Sequence, residues 1–148
     1  MRRHWDIFCS VVDNFGDIGV CWRLARRLSV ELAQDVRLWV DDLHSFRKMQ
    51  AAVDILCSRQ VVEGVEVMHW PASFPVVEPA DIVVEGFGVR LPEGFIEAMA
   101  EMSPAPVWIN LEYLSAETWV DEHHCLPSPH PRLPLTKYFF FPGFSNAT

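Results

Sequence analysis

The stretch Val11-Val12-Asp13-Asn14-Phe15-Gly16-Asp17-Ile18-Gly19-Val20 decides how this chain is read. Residues 5–12 upstream of it are rich in β-branched and aromatic side chains and read as a buried strand. Downstream, Ile18, Cys21, Trp22, Ala25, Leu28 and Leu32 recur at helical spacing, with Arg23, Arg26 and Arg27 on other faces. A strand therefore passes to a helix through two carboxylates and two glycines, more than a plain turn needs. Gly16 and Gly19 let a ligand approach the backbone at a helix start, where free N–H groups favour an anion. A carboxylate beside such a site is costly unless it grips a cation or takes a proton. The plainer alternative is that Asp17 caps the helix and Asp13 makes a turn.

Working outward, strand and helix patterns alternate. Residues 36–40, 65–70, 80–88 and 105–113 read as further strands, most of them continuous apolar runs. Asp42 is placed to cap a helix running to about Cys57, and residues 92–102 form another helix with Pro92 near its first turn. Continuous apolar strands alternating with helices predict an α/β fold, a Rossmann-like parallel sheet with helices on both faces. After Tyr113 the sequence turns irregular and proline-rich, and "KYFFFPGF" is a last apolar strand and turn. An element that ought to lead onward suggests one half of a two-domain protein, with 1–148 as one Rossmann-like domain.

The 148 residues suffice for a single sizeable core, and half of them are apolar, as in a globular chain. A net charge of −8 disfavours nucleic acid and favours a basic or cationic partner. Cys9, Cys21, Cys57 and Cys125 show no C-x-x-C spacing. Cys9 lies in a strand pattern and Cys21 and Cys57 in helical patterns, so a reduced protein with core thiols is expected. No apolar stretch nears the roughly 18 residues of a membrane span, and Asp6 and Asp13 argue against a signal peptide. The expectation is a soluble, cytoplasmic protein with no membrane partner.

Ligands of open α/β sheets sit at the carboxyl ends of the strands. The residues expected there are Asp13 to Gly19, Asp41 and Asp42, the run Glu85-Gly86-Phe87-Gly88, and Asn110, Glu112 and Tyr113. No G-x-G-x-x-G follows the first strand and no phosphate-loop G-K-[ST] occurs, which disfavours a dinucleotide cofactor. Asp41 and Asp42 read first as a strand-exit cap. Glu85 and Glu112 are open between an acceptor contact and a solvated loop charge. His123 and His124 in "DEHHC" are adjacent and have no partner at i, i+4 spacing, so no metal site is assigned.

"VVDNFGDIGVCWRLARRL", together with "WDIFC", "INLEYLSAE" and "FFFPGF", resembles the bacterial protein-arginine rhamnosyltransferases that modify elongation factor P, over the whole chain. The resemblance implies a GT-B architecture of two Rossmann-like domains facing a cleft, this chain being the N-terminal, acceptor-side half. It implies transfer of rhamnose from dTDP-β-L-rhamnose to one arginine of elongation factor P, with inversion and without metal or other cofactor. It places Asp13 and Asp17 as functional acids, with Asp17 the favoured general base, and Asn14, Phe15 and Gly16 along the donor cleft. Gly19, Glu85, Glu112 and Tyr113 complete the expected substrate-binding set. The nucleotide-sugar domain it implies would follow "PGF" and is absent here, so this chain alone is expected to be inactive.

The chemistry agrees with that expectation. An arginine guanidinium stays protonated and is a poor nucleophile. Two carboxylates can hold it by charge-assisted hydrogen bonds, and one can take its proton as the C–N bond forms. The rival expectation is a non-catalytic docking domain that binds a basic protein through the acidic strand ends.

Overall fold

The computed structural model describes residues 1–11 and 15–143, with Phe15 described by its backbone only. In chain order the elements are β1 (His4–Cys9), α1 (Phe15–Arg26), β2 (Asp35–Val40), α2 (Leu43–Met49), β3 (Arg59–Val62), β4 (Val65–His69), β5 (Ile82–Gly86), α3 (Glu93–Glu101), β6 (Val107–Leu111), α4 (Trp119–His123), β7 (Pro127–Pro129) and β8 (Thr136–Phe140). They build one eight-stranded sheet in the order β3-β4-β2-β1-β5-β6-β8-β7. The run β4-β2-β1-β5-β6-β8 is parallel throughout, and β3 and β7 close the two edges antiparallel. This is the expected Rossmann-like α/β sheet. Its strand order reverses between β1 and β5, and such a switch point opens a crevice beyond the strand ends.

Each face has its own core. On one, Ile7, Cys9, Leu38, Val40 and Val84 meet Ile18, Cys21 and Trp22 of α1 and Phe46 of α2. On the other, Phe8, Trp39, Val83 and Trp108 meet Phe95 and Met99 of α3, with Trp70 and Phe74 closing over them. Phe8 stacks on Trp39 at 5.7 Å and meets Phe95 edge-on at 5.0 Å. The second face also holds a buried charge. Asp6, with no exposure, accepts from Arg37 Nε and Nη2 at 2.6 and 2.7 Å, Trp39 Nε1 at 2.9 Å and the Ala80 amide at 2.9 Å. Those donors satisfy both carboxylate oxygens, which is how an acid survives inside a sheet.

Several boundaries differ from expectation for identifiable reasons. The first strand stops at Cys9, not at residue 12. Ser10 Oγ and the Val11 amide both donate to the Asp41 carboxylate at 2.7 Å, which takes the chain off the ladder. The first helix keeps its apolar face through Leu28, but residues 27–31 widen into a π turn. The Leu32 amide reaches back five residues to the Arg27 carbonyl, and the lost phase leaves Leu32 exposed. The second helix ends at Met49, well short of Cys57. Asp54 there accepts from the Leu56 amide, and Gln60 donates to the Asp54 and Cys57 carbonyls, so a turn forms. Cys57 is consequently exposed, as is Cys125, while Cys9 and Cys21 are the core thiols.

The antiparallel β3–β4 hairpin turns on Glu63 and Gly64, both at positive φ (49° and 81°), and Val62 pairs directly with Val65. A two-residue turn of that kind matches the twist of its strands. Among the described residues no helix is long and apolar enough to cross a membrane.

Candidate functional site

The crevice at the switch point is a cavity of about 810 Å3. Every parallel strand exit from β4 to β6 contributes to it. Ser10 follows β1, Asp41 follows β2, His69 ends β4 and Trp70 follows it, the run Phe87 to Arg90 follows β5, and Tyr113 follows β6. Asp17 enters it from the first turn of α1.

Asp17 is the chemically distinctive member. It is 9% exposed, and its Oδ2 accepts the Tyr113 hydroxyl proton at 2.9 Å. Burial raises its carboxyl above the ordinary value, and the Tyr113 hydrogen bond pulls it partly back. A carboxylate lifted in this way is a better proton acceptor than a free aspartate. Its Oδ2 is turned toward Tyr113, which follows β6.

Tyr113 is itself held by a stack on Phe87, with ring centroids 4.4 Å apart and planes 20° apart. Phe87 adopts φ 58° and Gly88 φ 72°. That pair of left-handed residues is costly for a phenylalanine. It is kept by the Phe87 amide donating to the Leu111 carbonyl and the Gly88 amide donating to Asn110 Oδ1, each at 2.8 Å. The turn thus sets an aromatic shelf beside Asp17.

Asp41 and Asp42 divide their labour. Asp42 caps α2, accepting from the Ser45 amide and hydroxyl. Asp41 tethers Ser10 and Val11, the residues that lead into the glycine–acid loop, and its carboxylate lines the cavity. Beneath them Cys9 is buried beside the Cys21 thiol, with its own thiol donating to the Ser10 carbonyl at 3.8 Å, and the Asp17 and Asp41 charges lie nearby. Cys21, burial and the two charges push its thiol up, so it stays protonated.

Asp13 and Asn14 lie outside the described residues, as does the side chain of Phe15. Gly16 opens α1. Gly19 does not face the cavity. A Cβ there would meet Met49 of α2 at 3.3 Å, so this glycine serves helix packing. Two residues along a helix is about 200°, which is why Asp17 and Gly19 cannot share a face. Glu85 is also turned away. It takes Lys137 Nζ and Trp108 Nε1 at 3.1 Å on the second core face. Burial raises its carboxyl, and Lys137 and Trp108 counter that. Glu112 accepts from Asn110 Nδ2 and lies outside the cavity wall. His123 bonds the Trp119 carbonyl and His124 accepts from the Phe141 amide, so the two rings serve different partners.

Sequence reasoning named Phe87 only within the run after the fourth strand and passed over His69, Trp70 and Arg90. The strand-end rule pointed at the Phe87 turn but named nothing after residues 65–70, and only the assembled sheet shows which residues line the cavity.

A family model described as "Elongation-Factor P (EF-P) rhamnosyltransferase EarP" matches residues 5–148. The chain is 54% identical to a protein-arginine rhamnosyltransferase of Pseudomonas putida, over all of this chain and 39% of that protein. It is 51% identical to one of Pseudomonas aeruginosa, over 95% of this chain and 37% of that protein. It is 44% identical to one of Shewanella oneidensis, over 98% of this chain and 38% of that protein. The chain therefore spans about two fifths of the length of these curated relatives.

Proposed function

Because the chain belongs to the elongation-factor P rhamnosyltransferase family, we propose that it is the acceptor-side half of an inverting glycosyltransferase. That enzyme moves rhamnose from dTDP-β-L-rhamnose to an arginine of elongation factor P. The observation that carries this reading is the buried Asp17, its carboxyl raised by burial and held by Tyr113 over the switch-point cavity.

In this mechanism the acceptor guanidinium enters the acidic side of the cavity. Asp17, helped by Asp13, holds it by charge-assisted hydrogen bonds. Asp17 accepts an N–H proton as that nitrogen's lone pair attacks the anomeric carbon from the face opposite the leaving group. The C–O bond to the donor diphosphate breaks, its electron pair leaves with the phosphate oxygen, and the product is a glycosylated guanidinium with inverted configuration. Tyr113 keeps the Asp17 carboxylate oriented before attack. The aromatic shelf of Phe87 and Tyr113 offers a flat face on which a guanidinium plane stacks. The reaction as written uses side chains alone and no cofactor beyond the donor.

The net charge of −8 suits a basic acceptor loop, since complementary charge raises encounter rates. The test is single-turnover transfer by the full-length protein with Asp17→Asn. Loss of a positioned base costs on the order of 100- to 10,000-fold in rate, with melting nearly unchanged. A near-normal rate with normal melting removes the general-base assignment. Failure of the wild-type protein to place a sugar on an acceptor arginine removes the reading altogether.

A further inference from the structure

The cavity is bipolar. Asp17 and Asp41 line one part of its wall, and Arg90 is the only arginine or lysine among the described residues that line it. We propose that Arg90 is the anion-holding residue of this half of the molecule, gripping the diphosphate of a nucleotide-sugar donor. This deepens the transferase reading and rests on it.

Three observations converge on Arg90. Like Arg3, Arg23, Arg47 and Lys48 it has no carboxylate within ion-pair distance among the described residues, and of those five it alone lines the cavity. In a chain of net charge −8, an arginine kept out of such pairs beside a cavity is held available. It is also presented by a stiff segment. The left-handed Phe87–Gly88 turn is pinned by the Leu111 carbonyl and Asn110 Oδ1, and Leu91 on its other side is 3% exposed. The exposed arginine is thereby fixed at its root between two anchored points. Finally, the opposite pole repels phosphate. The Asp41 carboxylate is occupied by Ser10 and Val11, and Asp17 by Tyr113. A diphosphate entering the cavity is driven from the acids and toward the guanidinium, while a cationic acceptor is driven the other way.

The chemistry needs such a group. As the sugar–oxygen bond breaks, its electron pair stays on the diphosphate, whose charge becomes more negative by one. A guanidinium forms two parallel hydrogen bonds to phosphate oxygens, and stabilisation that grows with that charge lowers the barrier. The two poles thus sort donor from acceptor within one crevice and keep the reacting atoms between them.

The experiment uses the full-length protein and measures KM for the nucleotide sugar and for the acceptor separately, alongside calorimetric binding of the free nucleoside diphosphate. Arg90→Ala is expected to raise the donor KM and the nucleoside diphosphate Kd about 10- to 100-fold, the worth of hydrogen bonds to a charged group. Arg90→Lys keeps the charge and loses the fork, and is expected to fall between. The acceptor KM should hold or fall. Arg90 is exposed, so melting should not move. Unchanged nucleotide affinity with a raised acceptor KM overturns the proposal and makes Arg90 an acceptor contact. Unchanged values throughout overturn it as well. Absence of any transfer by the wild-type protein is a different failure, since it rejects the underlying transferase reading and this assignment with it.

Discussion

Tyr113→Phe isolates the control of Asp17, because it deletes one hydroxyl and keeps the ring that stacks on Phe87 at 4.4 Å. Burial raises the Asp17 carboxyl and the Tyr113 hydroxyl, 2.9 Å from Oδ2, lowers it. Without the hydroxyl only the raising influence remains. A hydrogen bond to an ionised group contributes about 1.5–3 kcal/mol. Tyr113 is 49% exposed, so solvent competes and the lower end applies, about 1.5 kcal/mol. On the acid side of the rate profile that reduces the ionised population of Asp17, and with it the rate, roughly tenfold.

The sign follows from the role. A general base acts as the carboxylate, so activity rises as Asp17 deprotonates, and the variant's rise is displaced toward higher pH. Above the rise both proteins hold the carboxylate and their rates converge. The assay is kcat/KM of the full-length protein against pH, with melting curves to confirm the fold. An undisplaced acid limb refutes the argument. A parallel loss at every pH also refutes it, because Tyr113 then acts by touching substrate and not through Asp17.

Asp6→Ala strands Arg37 and leaves the Trp39 and Ala80 donors without their acceptor. It should cost about 3–5 kcal/mol in urea or thermal unfolding, and a loss under about 1 kcal/mol contradicts the buried-pair account. Gly86→Ala places a Cβ 2.7 Å from Cys21 Sγ and 2.9 Å from the Phe8 carbonyl oxygen, at the junction of β1, β5 and α1. Overpacking there should cost about 1–3 kcal/mol and depress turnover by moving α1, which carries Asp17; an unchanged melting curve argues against that close approach. Asp42→Ala should cost about 1 kcal/mol as a lost helix cap. The Ser45 side chain and amide hold the Asp42 carboxyl below its ordinary value. Its contribution is therefore complete at neutral pH and fades as pH falls through that lowered value, so the stability gap to wild type should narrow in acid.

The alternation of apolar strands with helical patterns was legible because burial on both faces of a parallel sheet demands it, and β1, β2, β4, β5 and β6 follow from the apolar runs along the chain. So did the placing of Asp17 at a strand exit, since a glycine-flanked acid between two opposite periodicities has few other positions to occupy. Edge elements were less legible. β3 and β7 are short and half-solvated, and their pairing is decided by partners distant in the chain or by turn dihedrals at Glu63 and Gly64. The π turn that exposes Leu32, and the Asp54–Gln60 hydrogen bonds that exclude Cys57 from a helix, are local competitions that periodicity does not weigh.

Residue type and position in the chain were enough to bring Asp17 and Tyr113 to the cavity wall, but direction was not legible for others. Glu85 and Gly19 stand at the right strand end and helix start, yet one turns to Lys137 and the other to Met49. Which way a side chain faces depends on the register of β5 against β6 and on the approach of α1 to α2, both set by packing between segments far apart in sequence. The same packing brings Tyr113 across 96 residues to Asp17, and sets Arg90 in the wall of the cavity those two share.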